Sequence, residues 1–226
     1  MLASACAMAP APTADRSRYD RVARGYEALL RFASAGRIDR LYAAVAEALD
    51  PLPGGTLVEL GCGPATVTPH LLPTVGPAGA LVGVDLAEGM IAEARRKAER
   101  LDWRNARFER ADARDYTPPG AVDAVVFSLS LSTMPEPERC LERALTMLAP
   151  GGQLVVLDSI PEPGRPLANA IVRMKAPLVG ARPTSAPLDF AAARLEGVRV
   201  RRLWLGAYTV VSGRKPGAAR PARPPG

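Results

Sequence analysis

The sequence predicts an α/β domain: an open, doubly wound, seven-stranded sheet, mostly parallel with an antiparallel C-terminal strand, and helices on both faces. Three observations carry this. Short apolar runs alternate five times with helical segments, the pattern of a parallel sheet with crossover helices. The clearest runs are apolar almost throughout rather than alternating, as strands buried on both faces are. The chain then closes on two late strands, 198–205 and 207–214, separated by Gly206 in the manner of a hairpin. A Rossmann-like sheet of this kind holds its ligand beyond the carboxyl ends of the strands, beside the first one.

The elements follow in order. Residues 1–14 are rich in Ala and Pro and read as a disordered lead-in. They carry no Lys or Arg ahead of a continuous apolar stretch, so a signal peptide is not expected. Over 15–50, Tyr19, Val22, Tyr26, Leu29 and Leu30, then Ile38, Leu41, Val45 and Leu49, recur at helical spacing. Pro51, Pro53, Gly54 and Gly55 end that section, and the main domain is expected over 51–215. Residues 56–60 form the first strand and run into a glycine turn, and a helix begins over 65–72. A strand at 79–86 and an amphipathic helix at 88–101 come next. Strands at 106–112 and 122–131 flank a turn, and a helix over 135–148 opens on Pro135, where a missing N–H costs nothing. Pro150–Gly152 reads as a turn before a fifth strand at 153–159. Residues 160–187 are interrupted by prolines and yield only one expected helix, 166–175. The tail, 216–226, is basic and expected to be disordered.

Composition bounds the function. With 226 residues, 48% hydrophobic and 23% charged, the chain is sized for one large α/β domain. No apolar run approaches the roughly 18 residues of a membrane span. Cys6, Cys62 and Cys140 stand apart, without a CxxC or Cys/His cluster. Neither a disulfide framework nor a metal site is therefore expected, and a reducing cytoplasm fits. The net charge of +6 is uneven. After Glu196 there is no acid, while Arg199, Arg201, Arg202, Arg214, Lys215, Arg220 and Arg223 follow. Such a terminus could meet an anionic membrane surface peripherally, or could simply be a solvated strand edge and tail.

The most informative stretch is Val58-Glu59-Leu60-Gly61-Cys62-Gly63-Pro64-Ala65. Glycines at 61 and 63 let the chain turn sharply and let a ligand lie against bare backbone. The turn follows a strand and precedes a helix, and Asp85 ends the next strand, where a carboxylate can accept hydrogen bonds from ribose hydroxyls. Thr66 stands where a dinucleotide fingerprint needs a third glycine. Glu59 adds negative charge where a pyrophosphate would sit. It suits a ligand with a cationic part, an ammonium or a sulfonium, and points away from a nicotinamide coenzyme.

ELGCGPA, VGVDLAEGM, Ala111-Asp112-Ala113 after the third strand, and LAPGGQLVVLD together resemble the class I S-adenosylmethionine-dependent methyltransferases, over about 55–160. The resemblance implies S-adenosylmethionine as cofactor. Glu59, Gly61, Cys62 and Gly63 would line its methionine end, Asp85 would hold the ribose, and Leu86 and Met90 would lie near the adenine. Asp112 would meet the adenine amino group beside the Ala113 backbone, and Ser128 would face the methyl group. Ala65 departs from the glycine that many members carry. The opening Tyr19-Asp20-Arg21-Val22-Ala23-Arg24-Gly25-Tyr26-Glu27 resembles that of the quinone C-methyltransferase and bacterial phospholipid N-methyltransferase branch, with Glu27 for an aspartate. There it implies an N-terminal helical lid over 15–50, with Tyr19 and Tyr26 either capping the methyl site or stapling this helix to the domain. Asp102-Trp103-Arg104-Asn105 is similar to a Gly-Trp-x-Asn stretch of the lipid-directed members.

What the acceptor must be is narrowed rather than named. His70 sits inside the helix after the glycine turn, which runs away from the strand ends, so a histidine base is not expected. SLSLSTM (128–134) lacks the carboxylates of metal-assisted O-methylation. It also lacks the Pro-Pro-aromatic turn of DNA amino-methylation, so nucleic acid is not expected as a partner. A small molecule or lipid head group, methylated at an amine, is the first expectation. Methylation at carbon of a quinone-like acceptor, or at oxygen of a natural product, is the alternative. A nicotinamide-dependent oxidoreductase and a non-catalytic module that binds S-adenosylmethionine remain as readings of another class.

Overall fold

The computed structural model describes residues 25–161 and 164–217. Two helices lead, α1 (Tyr26–Ala33) and α2 (Ile38–Ala48). Then come β1 (Thr56–Leu60), α3 (Thr68–Val75), β2 (Ala80–Asp85), α4 (Glu88–Arg100), β3 (Ala106–Arg110) and β4 (Val122–Ser128). A 3-10 turn at Leu131–Thr133 leads to α5 (Pro137–Met147) and β5 (Leu148–Asp158). The rest is α6 (Pro166–Val179), α7 (Ala186–Ala192), β6 (Glu196–Leu203) and β7 (Tyr208–Arg214).

The seven strands form one sheet in the order β3-β2-β1-β4-β5-β7-β6. Pairings among β1–β5 are parallel, and β7 runs antiparallel to both β5 and β6. Strand order reverses beside β1, so its carboxyl end opens at the switch point.

Side chains of the central strands divide between two cores, one on each face. Leu57, Leu81, Ala124, Val126, Val155 and Leu157 meet α1–α4 and α6 on the first face. Val58, Val82, Val125, Phe127, Leu154 and Val156 meet α5 and α7 on the second. Leu57, Val58 and Leu60 are fully buried, and each stabilises the fold by about 1.5–3 kcal/mol. That burial fixes the register of β1 and with it the position of the turn that follows.

Several boundaries differ from the sequence expectation, each for a local reason. The helix expected from 65 starts at Thr68, because Gly61, Gly63 and Ala65 all adopt positive φ (73°, 53° and 58°) and use up the intervening chain. β4 stops at Ser128 instead of 131, since Leu129 turns left-handed at φ 55°. Pro150–Gly152, expected as a turn, lies inside β5 as a bulge. Val122 pairs Leu148 while Ala124 pairs Gln153, and Gly151 N–H donates to Lys215 O. The helix expected at 166–175 runs on to Val179, past Pro177. α7 was not anticipated; seven residues are too few to show a helical period.

Candidate functional site

The glycine turn is built by hydrogen bonds between strand ends. Gly61 and Cys62 N–H both donate to Val84 O, at 2.8 and 3.0 Å, tying the end of β1 to β2. Asp85 Oδ2 then accepts Gly63 N–H at 2.9 Å, and its Oδ1 accepts Ala87 N–H at 2.9 Å ahead of α4. From below, the buried Lys97 Nζ donates to Pro64 O at 2.8 Å. The turn is therefore held at both glycines and at the proline.

Glu59, two residues before Gly61, is 1% exposed, and its Oε2 has no hydrogen-bond partner among the described residues. Burial, and then repulsion from Asp85, push its carboxyl well above the ordinary range. Two acids thus converge at the carboxyl ends of β1 and β2. Ser128 ends β4 on the face that carries Glu59, one pair further along the neighbouring strand, since Glu59 pairs with Val126. Its buried Oγ is also without a partner among the described residues. Unpaired buried oxygens are costly. This set, an orphaned carboxylate, an orphaned hydroxyl and an aspartate at a glycine turn, fits an ammonium and ribose hydroxyls of S-adenosylmethionine.

The other expected residues take these places. Gly61 faces a close neighbour: a Cβ there would lie 2.5 Å from Ser130 Cβ and 2.6 Å from Met134 Cε. The Cys62 side chain is buried in the first core against Gly83, leaving only its main chain toward the turn. Burial and the charges of Asp85 and Glu59 raise that thiol, so it is no nucleophile. Leu86 is 42% exposed and offers an apolar surface just past Asp85, whereas Met90 is buried within α4. Ala113 is buried in the second core. Asp112 is held by Arg114, whose Nε and Nη2 donate to its two oxygens and whose N–H donates to Oδ1 at 2.9 Å. That pairing lowers the Asp112 carboxyl and occupies acceptor sites the adenine would need. Asn105 has a structural use, donating to Gly76 O and Gly79 O in the α3–β2 loop. His70 packs against the Tyr42 ring, 6.0 Å between centroids. Tyr19 lies outside the described residues. Tyr26 opens α1, but its side chain is not among those described.

Beyond the turn lies a cavity bounded by α1, the β4–α5 segment, the end of β5, α6 and β7. Leu30, Leu129, Val172 and Tyr208 give it an apolar wall, and Asp158 and Lys175 are its charged residues among those described. Asp158 Oδ2 accepts Ser132 N–H at 2.7 Å. Its Oδ1 accepts the Ser132 hydroxyl at 2.8 Å and Ser159 N–H at 2.7 Å. Residues 129–134 separate cavity from turn by one layer of chain. Ser130 and Met134 crowd Gly61, while Leu129, Ser132 and Thr133 line the cavity.

Sequence reasoning missed Lys175, Asp158, Ser132 and Arg114. Asp158 had a usable signal, an acid at the carboxyl end of a buried strand, which is where Asp85 also sits. Arg114 had one too, a cation two residues after an acid. Lys175 had none, because it falls in the proline-interrupted stretch where no helical face could be read.

Residues 57–152 match the family described as "Methyltransferase domain". A trans-aconitate 2-methyltransferase of Variovorax paradoxus (strain S110) is 38% identical over 125 residues, covering 54% of this chain and 46% of the relative. A nocamycin O-methyltransferase of Saccharothrix syringae is 30% identical over 177 residues, 69% of this chain and 63% of the relative. The [4+2]-cyclase SpnF superposes with a TM-score of 0.67 at 21% identity, over 92% of this chain and 98% of that one. That likeness speaks to the fold alone. The chain spans about half the length of several of the curated relatives it matches.

Proposed function

We propose that this chain, whose residues 57–152 match a methyltransferase domain, is a class I S-adenosylmethionine-dependent methyltransferase that transfers a methyl group to a small molecule seated in the cavity beside the glycine turn. The observation that carries the reading is the pair of acids at the strand ends. A buried Glu59 with an unpartnered Oε2 beside Asp85 is unfavourable alone, and it is relieved by a ligand that brings positive charge and hydroxyl donors. When bound, S-adenosylmethionine supplies an electrophilic methyl on a sulfonium. Glu59 would meet its ammonium end, Asp85 its ribose, Leu86 its adenine, and Ser128 the side on which the acceptor stands. The protein's share of the chemistry is approach geometry and exclusion of water.

The acceptor's nucleophile is the finer question. An amine is the first expectation from the sequence. The cavity favours oxygen instead, because Lys175 Nζ, without a hydrogen-bond partner among the described residues, puts open donors on its wall, and an acidic oxygen accepts from them where an ammonium does not. Relatives named for trans-aconitate and for O-methylation of nocamycin point the same way.

Titration calorimetry tests the cofactor. S-Adenosylmethionine and its demethylated product, S-adenosylhomocysteine, are expected to bind one site and to raise the thermal midpoint, since a ligand at 100 times its Kd stabilises by about 2.7 kcal/mol. No heat with either, together with saturation by a nicotinamide coenzyme, would overturn the reading. Transfer of labelled methyl to a fractionated extract then separates an enzyme from a module that only binds.

A further inference from the structure

We propose that Lys175 anchors the methyl acceptor, and that the acceptor is a small molecule with an apolar body and a carboxylate or comparably acidic oxygen. This rests on the methyl-transfer reading and adds the chemical class of what is methylated.

Lys175 is 7% exposed, on the cavity-facing side of α6 with Val172 and Ala176. Its Nζ has no hydrogen-bond partner among the described residues. The ammonium lies 3.4 Å from the centroid of the Tyr208 ring and 5.8 Å from that of Trp204. A ring face attracts a cation, but it leaves the directional N–H donors unmet, and an ammonium carries three. A buried cation with open donors on the wall of a cavity is half of an ion pair.

Asp158 is the obvious internal candidate for the other half, and its geometry is spent elsewhere. Its oxygens accept three hydrogen bonds from Ser132 and Ser159, and none from Lys175. Among the described residues, the remaining charged or titratable groups near the ammonium are Tyr208 itself, from β7, and Arg37 ahead of α2, which stacks on the far ring, Trp204, at 4.9 Å. None of them supplies an anion. Burial accordingly depresses the Lys175 ammonium to about 7, with the Asp158 charge opposing that shift only in part. An acceptor carboxylate would restore what burial removed.

The position suits an acceptor as well as the chemistry does. The cavity wall formed by Leu129, Ser132 and Thr133 belongs to the short segment whose Ser130 and Met134 touch Gly61. Leu129 in that wall directly follows Ser128, the residue assigned to the methyl side, so an acceptor held at Lys175 reaches the cofactor along this segment and not through it. The apolar wall of Leu30, Leu129 and Val172 fits a hydrocarbon body rather than a many-charged one.

The test uses hexanoate and its uncharged analogue hexanamide, titrated into the full chain saturated with S-adenosylhomocysteine, for the wild type and Lys175→Met. The wild type is expected to bind the acid at least about tenfold more tightly than the amide at pH 6, the scale of a charge-assisted hydrogen bond. The preference should fade as pH rises past about 7, where the free ammonium loses its proton. Lys175→Met should bind S-adenosylhomocysteine normally and show no preference. Should that variant fail to fold, the acid-to-amide ratio of the wild type and its decline with pH still decide. Equal binding of acid and amide by the wild type, failure to bind the acid, or a preference retained in Lys175→Met would overturn the anchor. A wild type that does not bind S-adenosylhomocysteine at all would instead overturn the methyl-transfer reading beneath it.

Discussion

Asp85 Oδ2 accepts the backbone N–H of Gly63 at 2.9 Å, so the acid expected to hold a ligand's sugar also holds the turn on which that ligand would lie. The two roles predict a combined phenotype for Asp85→Asn. The amide keeps one acceptor oxygen but opposes an N–H donor with its own NH2. Stability should fall by about 1–3 kcal/mol, read by urea unfolding. S-Adenosylhomocysteine affinity should fall at least about tenfold, since hydrogen bonds to a charged acceptor are lost. Unchanged stability would show that the Gly63 bond does not matter to the fold, and unchanged affinity that the ribose lies elsewhere.

Glu59 predicts a trade between stability and binding. Its carboxyl is held above the ordinary 4.5 by burial and then by Asp85. Between 4.5 and that raised value the folded chain keeps a proton that the unfolded chain has lost. Its contribution is therefore fully present below 4.5 and is lost as pH rises through the folded value. Glu59→Gln removes the titration. At pH 7–8 it should stabilise by about 1–3 kcal/mol, a rise of roughly 2–4 °C in thermal midpoint for each kcal/mol. It should also flatten the pH profile and weaken S-adenosylmethionine binding. A variant less stable than the wild type at pH 8, with an unaltered profile, contradicts the assignment.

Gly61 predicts a steric limit. At φ 73° any side chain is strained, by about 1–2 kcal/mol. A Cβ would also lie 2.5 Å from Ser130 Cβ and 2.6 Å from Met134 Cε, and overpacking of that kind adds about 1–3 kcal/mol. Gly61→Ala should lose about 2–5 kcal/mol in denaturant unfolding. Adding Met134→Ala should recover little, because the methionine tip is flexible and the Ser130 Cβ is not. Full recovery in the double variant would mean the serine wall yields.

These residues show how far the sequence could be read. The apolar runs marked β1, β2, β4 and β5 because burial on both faces demands them, and Gly61, Gly63 and Asp85 were legible because a turn and an acid at strand ends have few uses. The cavity was not legible. Lys175 and Asp158 come together only when α6 folds back over β5 and β7, and prolines at 161, 163, 166 and 177 obscure the period of that helix. Arg114 shows the opposite problem. The sequence marked Asp112 as a ligand acid, yet a cation two residues away had first claim on it.

The basic C-terminal strand supports a prediction about association. β6 is an edge strand, exposed along most of its length, with Val198 and Val200 open to solvent. An exposed apolar edge invites pairing with another chain, and charged side chains block it. Arg201 pairs with Glu47, and Arg199 lies 3.7 Å from Asp50, which also meets Arg214. Exposed pairs like these are worth about 0–1 kcal/mol each, so their value lies in guarding the edge more than in stabilising it. Arg199→Thr with Arg201→Thr should shift unfolding by less than about 1 kcal/mol while increasing self-association in sedimentation velocity. The same variant separates this role from docking on an anionic membrane. If it lost binding to phosphatidylglycerol vesicles at low salt with no change in association state, the arginines would belong to the membrane and not to the edge.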